Sequence, residues 1–311
     1  MKHKFLSSLM AVICLVLIFA ACSKQSDPSL TATTDAEVAA HSDDENRVST
    51  EMDGVSTDIN VALESDNSFS GNAATVTELV CDAAVTVNKT SDPMTITIDY
   101  NGANCGGLRK RTGKVVVSMA KETKWKNQGA SIVVNFQDLK ITRTKDNKSI
   151  TINGSDTVTN ESGGLLVNLA SSGPIVHAIR SNEMSITFDN GAKRTWHVAR
   201  RHTFTFDGGA ILTVTGFHAI GGSSNIVEWG ENRFGKEFTT AITGDLIIKQ
   251  SCDFRLTSGE ITHVSDDFTA VVSFGLDIAG LATGCPGTGN YYYKVGATRK
   301  NGNHFEIILP Y

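Results

Sequence analysis

The densest run of chemistry-bearing side chains in this 311-residue chain is KRTWHVARRHTFTF, residues 193–206. It holds Lys193, Arg194, Arg200 and Arg201 beside His197 and His202, types suited to anion binding, proton transfer or metal ligation. Read as one strand, Trp196, Val198, Arg200, His202, Phe204 and Phe206 share a face and His197 takes the other. The two histidines then do not converge as adjacent metal ligands. The basic residues read first as a solvated strand face, and otherwise as a dock for an acidic helix or an acidic glycan. Asp189 and Asp207 each follow Thr-Phe and lead into glycine. They are carboxylates available for acid–base work, yet Asp is ordinary in a hairpin turn. Asp43, Asp44 and Glu45 offer oxygen ligands to a cation, but Ser42 and Glu45 also match the capping box S-x-x-E of a helix start. Gly284, Gly287 and Gly289 lack the strand–turn–helix context that cradles phosphate. No G-x-S-x-G, H-E-x-x-H or P-loop pattern occurs. The expectation is no catalytic, cofactor-binding or metal-ligating residue, and a protein that is not an enzyme.

The elements that carry these residues follow from periodicity. Val48, Met52, Val55, Ile59 and Leu63 recur at spacings of four, three, four and four. That is one apolar stripe and predicts an amphipathic helix over 42–64. Asp58 lies off the stripe, so Asp58→Asn is expected to be mild where Ile59→Asp is severe. From about residue 73 the period becomes two, in MTITIDY, KVVVSMA, SIVVNF, MSITFDNG, FTAVVSFGLD and HFEIILPY. Asp189-Asn190-Gly191, Asp207-Gly208-Gly209, Thr257-Ser258-Gly259 and Asn301-Gly302 supply turns. No helical stretch interrupts the strands. The fold class is therefore mainly β, an antiparallel meander forming a curved sheet, sandwich or half-barrel over 73–311, with one N-terminal amphipathic helix. Apolar parity switches between Phe136 and Leu139, which predicts a bulge. A short echo aligns SITINGSDTV with ILTVTGFHAI, Gly154 matching Gly216. It raises two similar halves with a boundary near 180.

Residues 1–21 combine Lys2 and Lys4 with a short apolar run, a secretory leader rather than a spanning helix. Phe19-Ala20-Ala21-Cys22 resembles a bacterial lipobox, which makes Cys22 the expected lipidated residue. Residues 22–41 read as a flexible tether. Without Lys2 and Lys4, the 28 basic residues fall to 26 against 33 acidic ones, a net of −7. Residues 23–66 alone hold eleven acidic side chains against Lys24 and Arg47, a net of −9, and the remainder is near +2, so no basic domain suits nucleic acid. Cys81, Cys105, Cys252 and Cys285 remain as an even set in an exported chain. Sequence-near pairing, Cys81–Cys105 and Cys252–Cys285, is the expected connectivity.

CGGLRKRTGKVVVSMA, ITINGSDTVTN, FGKEFTTAITGDLIIKQSCDFRLTSGEITH and the closing IILPY resemble segments of uncharacterised lipoproteins from Bacteroidota, over most of residues 45–311. The resemblance implies an acidic leading helix and a β-rich body, and carries over no catalytic residue. Asp156-Thr157-Val158 matches the O-glycan acceptor pattern of that group, making Thr157 a candidate acceptor. Trp196, Trp229 and Tyr292 are candidate stacking platforms for a ligand. The expected function is a lipid-anchored cell-envelope protein, non-enzymatic and binding or structural, in the outer membrane through its N-terminal lipid. Its expected partners are an envelope protein, a glycan or an apolar ligand, with no cofactor and no nucleic acid. The alternatives are a carrier holding an apolar ligand between sheet and helix lid, and a glycan-binding protein.

Overall fold

The computed structural model describes residues 29–71, 80–252, 254–285 and 289–310. Cys22 and the leader lie outside them. The chain forms two compact units, residues 1–48 and 49–311. Helix α1 (Ser29–Ser65) begins in the first and ends in the second. The helix therefore starts well before Ser42. The acidic trio Asp43, Asp44 and Glu45 lies inside it, and the expected tether is helical from Ser29 onward. The Ala- and Glu-containing run DAEVAA is a good helix former and joins the downstream stripe without a break.

The second unit is an antiparallel meander. Its strands are β1 (Ala83–Asn88), β2 (Met94–Ala103), β3 (Arg109–Met119), β4 (Ala130–Arg143), β5 (Ser149–Asn160), β6 (Ile175–Phe188), β7 (Lys193–Phe206), β8 (Ala210–Gly216), β9 (His218–Ile220), β10 (Ser223–Glu231), β11 (Glu237–Lys249), β12 (Arg255–Ser265), β13 (Phe268–Leu276), β14 (Tyr292–Arg299) and β15 (His304–Pro310). They form one 15-stranded sheet running from β1 to β15. Residue 180 sits in the middle of β6, paired on both sides, so no boundary between two halves falls there.

Alternation of β-branched and polar residues puts Ile96, Ile98, Val115, Val117, Ile132, Val134 and Ile152 on one buried face. In β4 the parity switch is a bulge. Register shifts between Phe136 and Leu139, and Asp138 adopts a left-handed φ of 49°. Strands β8 and β10 share one place in the sheet. β8 pairs with the end of β7 and of β11, and β10 pairs with the other halves of the same two strands. Between them the chain folds back as the β9–β10 hairpin. Gly216 is needed at that junction, because a Cβ there would lie 2.1 Å from the Asn225 carbonyl oxygen.

Residues 49–65 of α1 bury Met52, Val55, Ile59, Ala62 and Leu63. Fully burying each large side chain contributes about 1.5–3 kcal/mol. The same stretch of helix also brings carboxylates to the sheet. Arg109 pairs with Glu51, and Arg111 reaches Asp58 at 2.6 Å. Tyr100 donates its hydroxyl to Asp58 at 2.9 Å. Arg111 also grips Asp82 through two N–H donors at 2.7 and 2.6 Å. Glu64 accepts the backbone N–H groups of Leu166 and Val167 at 2.7 and 2.8 Å. Asp58 is thus a structural contact, which corrects the reading that placed it harmlessly off the stripe. A stripe reports where the apolar side chains point and is silent on which flanking carboxylates meet an arginine. The Cys81–Cys105 and Cys252–Cys285 disulfides are both formed, with Cα separations of 5.7 and 5.3 Å.

Ile59→Asp buries an uncompensated carboxylate, and Arg111→Ala strands two. Each is expected to lower stability by about 3–5 kcal/mol. Asp58→Asn is expected to cost about 1–3 kcal/mol. Urea unfolding midpoints check all three, and an Asp58→Asn midpoint equal to the parent's would refute the contact's importance.

Candidate functional site

Alternation along β7 turns Arg194, Trp196, Val198, Arg200 and His202 toward the buried face. The expected sharing of a face by Trp196, Val198, Arg200 and His202 holds, but the face is not solvated. Arg194 and Arg200 are buried, while Lys193 is exposed and Arg201 half-buried on the other side. The docking alternative is the one the structure shows. Arg200 Nη1 meets Ser49 Oγ of the helix at 3.1 Å and lies 3.9 Å from Asp53. Its Nη2 reaches Glu228 at 3.3 Å. Glu228 also accepts the Trp196 indole N–H, and Arg194 lies 3.6 Å from the same carboxylate. Arg194 in turn stacks on Phe238 at 4.4 Å.

Trp196 is 1% exposed. It is therefore no platform for a ligand, contrary to expectation, because its parity places it beneath the helix. Asp156 enters the same cluster from β5. Its Oδ1 is buried with no hydrogen-bond partner among the described residues. Burial pushes its pKa from 3.8 to about 7, the nearby Arg200 charge lowering it less. His202 Nε2 is likewise buried without a partner. Its pKa falls from 6.5 to about 3, through burial first and then the charges of Arg200 and His177. His177, packed between Trp125 at 5.0 Å and Phe204 at 5.3 Å, falls to about 4 by burial.

Met52, Asp53, Ile59, Asp156, Trp196, Arg200 and His202 line one cavity of about 40 Å³ between helix and sheet. A buried water needs roughly 10–15 Å³ on this measure, so the space has room for about three waters. Chemically the space can hydrate Asp156 and His202, and it is too small for an acyl chain or a sugar. Asp189 and Asp207 sit in the β6–β7 and β7–β8 turns, apart from this cluster. Neither Asp156 as an interior group nor Glu228 was singled out from sequence. The parity of Ile150, Ile152, Gly154 and Asp156 along β5 was the signal that could have found the first.

The opposite face carries a second cluster. Trp229 stacks with His197, its cross-strand partner, at 5.4 Å and with His218 at 4.0 Å, both nearly parallel. Phe217, next in the chain, sits under Arg180 at 4.3 Å and Arg201 at 5.2 Å. Arg201 is itself paired to Glu161 at 2.7 Å. Trp229, one of the expected platforms, is half-buried. Tyr292 is half-buried between buried Tyr291 and Tyr293. Thr157 lies in mid-strand, half-buried, between Val133 and exposed Arg180 on neighbouring strands. Comparison with protein-family models, curated proteins and solved structures returns no match to this chain.

A carboxyl whose pKa rises on folding holds its proton more tightly in the folded chain. The contribution of Asp156 is therefore complete below about pH 4 and is lost as pH climbs toward about 7. The histidines run the other way. Their contribution is complete above about 6.5 and is lost on acidification toward 4. Asp156→Asn removes only the first effect. The stability of this variant relative to the parent is expected to grow between pH 4 and 7, by up to about 1.4 kcal/mol per pH unit. Urea unfolding at pH 4.5, 6 and 7.5 measures it, and a difference independent of pH refutes the burial of that carboxyl.

Proposed function

We propose that this chain is a lipid-anchored, non-catalytic binding protein of the cell envelope, held at the outer membrane by acylation of Cys22. One observation carries the non-catalytic part. The side chains best suited to chemistry, Asp156, Arg200 and His202, line a space of about 40 Å³, and Arg200, held by Glu228, joins helix to sheet. A substrate has no room among them. Two disulfides suit an oxidising compartment outside the cytoplasm. The lipobox-like Phe19–Cys22 segment supplies the anchor. A single acyl chain binds membranes only reversibly, so stable attachment needs the multiple acylation of a lipoprotein cysteine or a further contact.

The glycan-binding reading has its own support. His197, Trp229 and His218 form a flat aromatic stack beside Arg180 and Arg201, a combination that suits an acidic saccharide. Trp229 fluorescence is expected to respond to titration with an acidic polysaccharide and not with its neutral analogue. Equal response to both, or none, removes this reading.

The anchor is tested by growing cells with labelled palmitate. The parent is expected to incorporate label and fractionate with membranes, whereas Cys22→Ala should lose the label and either become soluble or remain uncut. A labelled, membrane-bound Cys22→Ala chain refutes the anchor.

A further inference from the structure

We propose that the end of the sheet bearing the β5–β6, β7–β8, β11–β12 and β13–β14 connections inserts apolar side chains into a phospholipid surface. Each of these connections carries an exposed large apolar residue. They are Val167 at 53% exposure, Phe206 at 49%, Phe254 at 64%, and Ile278 and Leu281 at 74% and 66%. The strand registers place all of them at one end. Phe206 pairs with Ala210, Ile211 with Lys249, Lys249 with Arg255, and Leu276 with Tyr292. The loop bearing Val167 joins there too, since Ile175 pairs with Phe204. Successive connections are two strands apart, about 10 Å. The result is a row of separate apolar tips about 30 Å long.

The turns at the other end are polar. They read TKDNK at 144–148, DNGA at 189–192, DD at 266–267 and KNGN at 300–303. Leu108 and the less exposed Phe234 are the large apolar exceptions in those turns. Single exposed apolar residues are normal on any protein. Their grouping on four successive connections of one end, beyond the polar β1–β2 and β3–β4 connections, is the observation that needs a cause.

Three features show that the tips are held out. Phe254 has a left-handed φ of 53°, a costly conformation for a bulky side chain that gains no burial from it. The Cys252–Cys285 disulfide ties its turn to the loop carrying Ile278 and Leu281, so three of the tips are fixed relative to one another. Val167 projects from a segment whose backbone N–H groups are held by Glu64 and whose neighbours Leu165 and Leu169 are buried. Lys249 and Arg255 face each other across the first pair of the Phe254 hairpin, with the Arg255 guanidinium over the Tyr291 ring at 5.6 Å. Separate tips on turns suit an interface of lipid headgroups, which accepts side chains one at a time. A protein partner is better matched by one contiguous patch.

This contact does not depend on acylation of Cys22, and the test uses the unacylated chain, residues 22–311 carrying Cys22→Ala. Flotation with vesicles of phosphatidylethanolamine and phosphatidylglycerol is the assay. The parent is expected to float. The triple variant Phe254→Ser, Ile278→Ser, Leu281→Ser should lose at least tenfold in vesicle partition while keeping its thermal midpoint. Leu108→Ser, equally exposed at the other end, should float like the parent. Should the triple variant fail to fold, Val167→Ser with Phe206→Ser carries the same expectation. A parent that stays with the soluble fraction, or rim variants that float as well as Leu108→Ser, overturns the proposal. So does a parent that ignores vesicles but forms a dimer that the triple variant dissolves, since the rim is then a protein interface.

Discussion

The second unit depends on burying a helix that brings its own carboxylates to the sheet. Met52, Val55, Ile59 and Leu63 need only an apolar surface, and any rotation that keeps the stripe down would satisfy them. Glu51, Asp58 and Glu64 are more demanding. Each has one fixed answer, in Arg109, in Arg111 with Tyr100, and in the backbone of Leu166 and Val167. Sliding the helix by a turn breaks all three of these contacts. Burial raises the pKa of Asp58 despite Arg111 and Tyr100, so desolvation outweighs attraction at that site. The apolar stripe supplies the free energy, as is usual for buried ion pairs that roughly break even, and the ionic contacts exclude other registers.

Arg111 can hold Asp58 only because something else orients Arg111. Asp82 does so from below with two hydrogen bonds, and its backbone carbonyl also accepts Asn101 N–H. Asp82 follows Cys81, whose disulfide reaches the β2–β3 turn at Cys105. A crosslink between a strand approach and a hairpin turn is thereby transmitted, through one carboxylate and one guanidinium, to a helix more than twenty residues upstream. At the middle of the sheet Glu228 plays the matching part, orienting Arg200 toward Ser49.

Local patterns were legible in the sequence. Period two marked the strands, the parity change at Phe136–Leu139 marked the bulge, and the spacing of Met52 to Leu63 marked the helix. The cysteine pairing followed from proximity along the chain. What could not be read is which of two faces another element covers. Trp196 and Arg200 look the same on a solvated strand as on one roofed by a helix 150 residues away. Likewise, Asp58 and Arg111 carry no local sign of each other, because the sheet's register brings them together. The pairing of Trp229 with His197 was hidden for the same reason, since it too is set by the register of two strands.

A chain is synthesised from its N-terminus, so α1 exists before there is any sheet to receive it. An all-apolar helix would meet that interval with nothing to cover its greasy side, and would invite contact with other nascent chains. The carboxylates along this one keep it hydrated and mutually repelling while it waits. Their arginine partners, Arg109, Arg111 and Arg200, arrive later, on strands that follow the helix in the chain. The same acidic groups that look expensive in the finished structure act as the helix's own escort during assembly.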